Sequence, residues 1–105
     1  MKKLTDLNLL NGTSFHGVVI NTSIKKLKSI LGEPTIQDNT GEDKVNVEWG
    51  VITKQGIVGT IYDWKEYRRL GEDDIVQFHI GGKTEEDTLK VKNELVKLIF
   101  DNILL

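Results

Sequence analysis

Three aromatic rings and three cations fall within eight consecutive positions, Tyr62-Asp63-Trp64-Lys65-Glu66-Tyr67-Arg68-Arg69. Trp64 and Tyr67 offer flat faces on which a nucleobase can stack. The planar forks of Arg68 and Arg69, with Lys65 beside them, suit a phosphate held through paired hydrogen bonds. On a strand, Tyr62, Trp64 and Glu66 share one face. A second reading is therefore that Tyr62 and Trp64 anchor the core while Lys65 and the arginines face water.

Two other segments carry similar chemistry. In Phe78-His79-Ile80-Gly81-Gly82-Lys83, His79 alternates away from Phe78 and Ile80. There, Gly81 and Gly82 either open backbone amides to an anion ahead of a helix or simply turn the chain. In Gly12-Thr13-Ser14-Phe15-His16-Gly17, the hydroxyls of Thr13 and Ser14 and the imidazole of His16 suit a ribose or phosphate, with Phe15 as a further stacking ring. Neither segment has the spacing of a P-loop or of a dinucleotide-binding glycine motif.

An enzyme would recruit His16 or His79 as base, Asp63 or Glu48 as its partner and Ser14 as nucleophile. Nothing in the spacing fixes these groups together, and the two histidines lack metal-ligand spacing. The expectation is a binding protein without catalytic residues, metal or cofactor.

The elements that must position these residues follow from periodicity. Val18-Val19-Ile20 reads as a strand after the glycine-bounded loop 12–17, and Ser23 caps a helix through Ile24, Leu27, Ile30 and Leu31 that stops at Gly32 and Pro34. From Lys44 to Ile52, Val45, Val47, Trp49 and Val51 alternate with polar or small residues, as on a half-buried strand. The turn Thr53-Lys54-Gln55-Gly56 leads back through residues 57–64, and Ile75–Ile80 forms a further strand ended by Gly81-Gly82. Thr84 with Glu85, Glu86 and Asp87 opens a helix that runs to about Asp101. The order β-α-β-β-β-α predicts one α+β domain over residues 1–105, an antiparallel sheet of about four strands with two helices on one face. Residues 37–43, rich in Asp, Asn and Gly, read as the least ordered stretch.

Composition bounds the setting. A chain of 105 residues fits one domain with one core, and the absence of cysteine excludes a disulfide scaffold. No apolar run approaches the ~20 residues of a membrane span, and none forms a signal-peptide core, so a cytoplasmic protein is expected. Fourteen basic against sixteen acidic side chains leave a net charge of −2, which disfavours general nucleic-acid binding. The terminal residues Leu98, Ile99, Phe100, Ile103, Leu104 and Leu105 are apolar on more than one side, which one small sheet can hardly cover; they point to a homo-oligomer, the other reading being a frayed apolar tail.

Six segments together resemble a family of small proteins of tailed bacteriophages, over roughly residues 11–96. They are Gly12-Thr13-Ser14-Phe15-x-Gly17, Leu31-Gly32-Glu33-Pro34, Asp43-Lys44-Val45, Glu48-Trp49, Ile61-Tyr62-Asp63-Trp64-Lys65-Glu66-Tyr67-Arg68 and Phe78-His79-Ile80-Gly81-Gly82. The resemblance implies a protein made in the cytoplasm of an infected bacterium, where small non-catalytic phage proteins often inhibit host defence. Two functions are then expected: capture of a nucleotide-derived immune signal, or action on a host protein as a masking inhibitor or an accessory phage factor.

Overall fold

Burying Val47, Trp49 and Val51 on one side of a strand leaves Glu48 and Gly50 on the other, and this division organises the molecule. The computed structural model describes residues 1–103. Its elements run β1 (Lys2–Lys3), a 3-10 helix (Leu7–Leu10), β2 (Ser14–Thr22), α1 (Ile24–Leu31), β3 (Ile36–Gln37), β4 (Val47–Ile52), β5 (Val58–Tyr62), β6 (Val76–Gly82) and α2 (Glu85–Ile103). The sheet is antiparallel throughout, in the order β1-β4-β5-β6-β2, with β3 also pairing β4. The α+β class stands, but the sheet has six strands rather than four. The additional two are the two-residue strands β1 and β3, too short to show a period, which share the outer edge of β4.

Trp49, Ile61, Ile80 and Val18 lie opposite one another across four strands. Together with Phe78, Ile24, Leu27, Leu31, Val91 and Leu95 they form the core beneath both helices. Each fully buried large apolar side chain contributes about 1.5–3 kcal/mol. Trp49 is edge-on to Phe78, and its Nε1 donates to the Gly32 carbonyl at 3.0 Å, tying the end of α1 to β4. Ser23 Oγ accepts from Lys26 N and Thr84 Oγ1 accepts from Asp87 N, so both expected caps are formed.

Gly81 and Gly82 belong to β6 rather than following it as a turn. They are buried strand residues in register with Thr60 and Gly59 on one side and Phe15 and Ser14 on the other. A Cβ at Gly82 would collide with Thr88, and one at Gly59 would lie 2.8 Å from Val91, so these two glycines let α2 settle onto the sheet. Residues 14–17 are likewise not loop. They extend β2, with His16 and Gly17 forming a bulge that Gly17 accommodates at φ +77°. At the other pattern, β4 starts at Val47, leaving Lys44, Val45 and Asn46 in the preceding loop.

The second face of the sheet is partly covered by the N-terminal segment. Leu4 is buried, and a Cβ at Gly50 would lie 2.9 Å from Leu10, so the 3-10 helix rests directly on β4. Asp6 accepts from Asn8 N to start this helix, and the N-terminal amine pairs with Glu94 at 3.1 Å. The remainder of that face is open. Leu104 and Leu105, part of the apolar C-terminal set, lie outside the described residues.

Candidate functional site

The hairpin register sets Glu48 opposite Tyr62, Tyr62 opposite His79 and His79 opposite Val19, all on the open face. The β2 bulge puts Phe15 opposite Gly81, where no side chain stands. The Phe15 ring therefore lies flat on His79, with centroids 4.0 Å apart and planes 16° apart. Trp64 approaches the same imidazole at 6.2 Å and 30°, and Tyr62 meets both His79 and Trp64 edge-on. Four rings thus form a continuous platform. Lys44 and Lys65 place their ammonium groups 5.9 and 5.6 Å from the Trp64 ring centre.

Trp64 holds this place because Asp63, one residue earlier, turns inward. Asp63 is fully buried and its Oδ1 accepts from the backbone N–H of Asn46 and Val47 at 2.8 and 2.9 Å. Its Oδ2 accepts from Asn46 Nδ2 at 2.9 Å. Asn46 reaches onward to the Arg68 carbonyl and to Gly41 N, while Asn39 exchanges two hydrogen bonds with the backbone of Leu70. The stretch 37–43, expected to be the least ordered, is in this way fastened to the loop that carries Trp64. Lys65 and Tyr67 take left-handed conformations, φ 56° and 49°, which end the strand alternation.

A cavity of about 320 Å³ adjoins the platform. Glu48, Thr60 and Tyr62 reach it from the sheet, Leu10, Thr13 and Ser14 from the N-terminal side, and Val45 and Trp64 from the flanking loops. A depression of equal volume between the β4–β5 turn and α2 contains no aromatic ring and is lined by Thr53, Gln55, Lys90, Asn93, Glu94 and Lys97, so it offers no stacking surface.

Among the described residues the Glu48 carboxylate and the His79 imidazole make no hydrogen bond or ion pair, and the same holds for the Thr60 and Tyr62 hydroxyls beside them. Burial pushes the Glu48 pKa up from its ordinary value and the His79 pKa down. Burial and the nearby Glu48 charge also raise Tyr62. A folded state that prefers neutral His79 is most stable above the ordinary imidazole value of 6.5 and loses stability as the pH falls below it. On acidification from about pH 7 to about pH 5, the wild-type melting temperature is expected to fall more steeply than that of His79→Phe.

The structure gathers Thr13, Ser14, Phe15, Trp64, Lys65 and His79 around this site, and it places the others differently. Arg68 turns its guanidinium to Asp74 at 3.1 Å and Glu66 at 3.8 Å. Arg69 is exposed, and Tyr67, also exposed, stacks on none of the four rings. Gly81 and Gly82 serve through their missing side chains, since their backbone lies within the strand ladder. His16 Nε2 lies 3.0 Å from the Gly82 carbonyl and 3.3 Å from Ser14 Oγ. A nitrogen facing a carbonyl carries its proton, which withholds the general-base role toward Ser14. Asp63 is wholly engaged by Asn46 and Val47. Tyr62, Lys44 and Thr60 were not singled out for the site in the sequence. The signal for Tyr62 and Thr60 is the hairpin register about residues 53–56, which pairs Glu48 with Tyr62 and Gly50 with Thr60, while Lys44 lies in the loop before β4 and has no such signal.

Among the described residues no three His, Cys, Asp or Glu side chains gather to hold a metal ion, and no helix is long and apolar enough to cross a membrane. Fold and site together define an α+β domain with an aromatic platform and a surface cavity on the exposed side of its sheet. No family model matches the chain, and neither a curated protein nor a solved structure matches it.

Proposed function

We propose that this is a phage-encoded, non-catalytic protein that captures a nucleotide-derived immune signal in the cytoplasm of the infected host. The observation that carries the reading is the platform of Phe15, His79, Tyr62 and Trp64, flanked by two lysines and opening into a cavity with unpartnered polar groups. Base stacking on aromatic rings is worth about 1–3 kcal/mol per base, and ammonium groups beside the rings attract phosphate. Lys44 and Lys65 take the phosphate-neutralising part, because the Arg68 fork is already turned to carboxylates.

Capture implies that the ligand is recovered intact. The test is a thermal-shift screen against cyclic dinucleotides, cyclic trinucleotides and ADP-ribose derivatives, followed by calorimetry and recovery of the ligand after heating. A specific shift with unchanged ligand supports capture, a cleaved product moves the protein to the enzymes, and no shift across the set leaves masking of a host protein as the better reading. Glu72, Asp73 and Asp74, an acidic surface that could meet such a partner, favour that alternative little, since each pairs with a cation of the same chain.

The binder acts as a homo-oligomer in this reading. Leu89, Val96 and Phe100 are exposed on one flank of α2, and Phe100 is 60% exposed. Glu94, on the opposite flank, faces the β4–β5 turn through Lys54 N, so the apolar stripe lies toward β2. β2 is an edge strand of nine residues without a charged side chain to discourage pairing. A second copy is self-complementary to this side, because a strand paired antiparallel with itself generates a two-fold axis that also brings the two α2 stripes together. The expected result is a dimer by sedimentation that becomes monomeric in Val96→Asp/Phe100→Asp.

A further inference from the structure

We infer that the cavity selects a guanine ring and that Glu48 is the residue that reads it. The inference rests on the nucleotide-binding reading above and names the base within it. Glu48 is held from both sides of its strand, in register with Tyr62 on β5 and with its own carbonyl accepting from Thr35 N at 2.7 Å. Glu48 lines the cavity beside Tyr62, Thr60 and Trp64, and its carboxylate has no partner among the described residues.

An ionised carboxylate only accepts hydrogen bonds, through two oxygens side by side. Guanine is the base whose Watson–Crick edge presents two adjacent donors, N1–H and the N2 amino group, at a spacing that two carboxylate oxygens match in the same forked manner as an arginine–carboxylate pair. Adenine would set its N1 lone pair against the carboxylate, cytosine its N3 lone pair, and uracil one donor between two carbonyls. The Trp64 ring supplies the face along which the purine plane lies, with Tyr62 standing edge-on to it. Pockets for whole ligands span about 300–1,000 Å³, so a cavity of about 320 Å³ admits one nucleoside. The rest of a larger ligand then lies across His79 and Phe15, where a second base can stack.

The experiment is calorimetry with cyclic di-GMP, its di-AMP and di-inosine counterparts, and the variant Glu48→Gln. A good forked pair discriminates between bases by about 10- to 100-fold, so the wild type should bind the guanine ligand tighter than the adenine ligand by that factor. The inosine ligand, which keeps N1–H and lacks the amino group, should fall between them. A glutamine presents one acceptor and one donor, which match adenine N6 and N1 as well as guanine N1–H and O6, so Glu48→Gln should lose most of the preference for guanine over adenine. Its melting temperature without ligand should equal or exceed the wild-type value, because a half-buried carboxylate is replaced by a neutral amide of the same shape. Equal affinities for guanine and adenine ligands in the wild type, or a guanine preference undiminished in Glu48→Gln, overturn the role of Glu48 and leave nucleotide capture standing. Absence of binding by all three ligands, where other nucleotides from the wider screen do bind, overturns the guanine assignment alone. Absence of binding across the whole screen overturns both.

Discussion

Replacing Asp63 by alanine is expected to lower the unfolding free energy by about 3–5 kcal/mol, because three buried N–H donors would lose their acceptor at once. The donors are the backbone amides of Asn46 and Val47 and the side-chain amide of Asn46. A domain of this size has about 5–15 kcal/mol in total, so the loss would approach the limit of folding at body temperature. Urea unfolding should show a midpoint shifted well down at unchanged slope. Asp63→Asn separates the contributions. Its carbonyl oxygen can still accept from both backbone amides, while its amino group meets Asn46 Nδ2 donor to donor, so a smaller loss of about 1–3 kcal/mol is expected. Equal losses in the two variants would show that the two backbone bonds contribute nothing measurable. The functional consequence is local, since Asp63 directs the chain that carries Trp64 and Lys65, and Asp63→Asn should weaken ligand capture even where it remains folded.

Much of this was legible in the sequence wherever a regular period met a cap. The alternation through Val47, Trp49 and Val51, the Ser23 and Thr84 caps, and the division of Phe78 and Ile80 from His79 all follow from side-chain direction along regular elements. What was illegible broke a period. Gly12 and Gly17 read as loop punctuation, yet Gly17 is the residue that permits a bulge inside a strand, and that bulge is what brings Phe15 onto His79. Leu4, Leu7 and Leu10 cover the second face from a segment too short to show a helical repeat. The block from Tyr62 to Arg69 read as one cluster, but its continuity ends at Asp63, whose carboxylate is an interior hub, and the left-handed residues Lys65 and Tyr67 send Tyr67 and Arg68 away from the rings. Residues adjacent in sequence were therefore divided between two tasks, and residues from four separate segments were joined into one site.

That division makes the Trp64 ring the sharpest probe of the site. Trp64→Ala removes the central wall between the cavity and the His79–Phe15 stack, and with it the ring that Lys44 and Lys65 approach. A stacked base contributes about 1–3 kcal/mol, so the dissociation constant should rise about 10- to 100-fold. The folded state should barely notice, because the ring is 40% exposed and lies outside the buried core cluster. Trp64→Phe, which keeps a smaller stacking face, should fall between the two. Tyr67→Ala and Arg68→Ala provide the contrast: both residues belong to the same eight-residue block, yet neither reaches the platform, and affinity should stay within about twofold of wild type. Were Arg68→Ala to abolish capture while Trp64→Ala left it intact, the ligand would have to sit on the loop rather than on the sheet, and the open face would lose its claim to be the binding site.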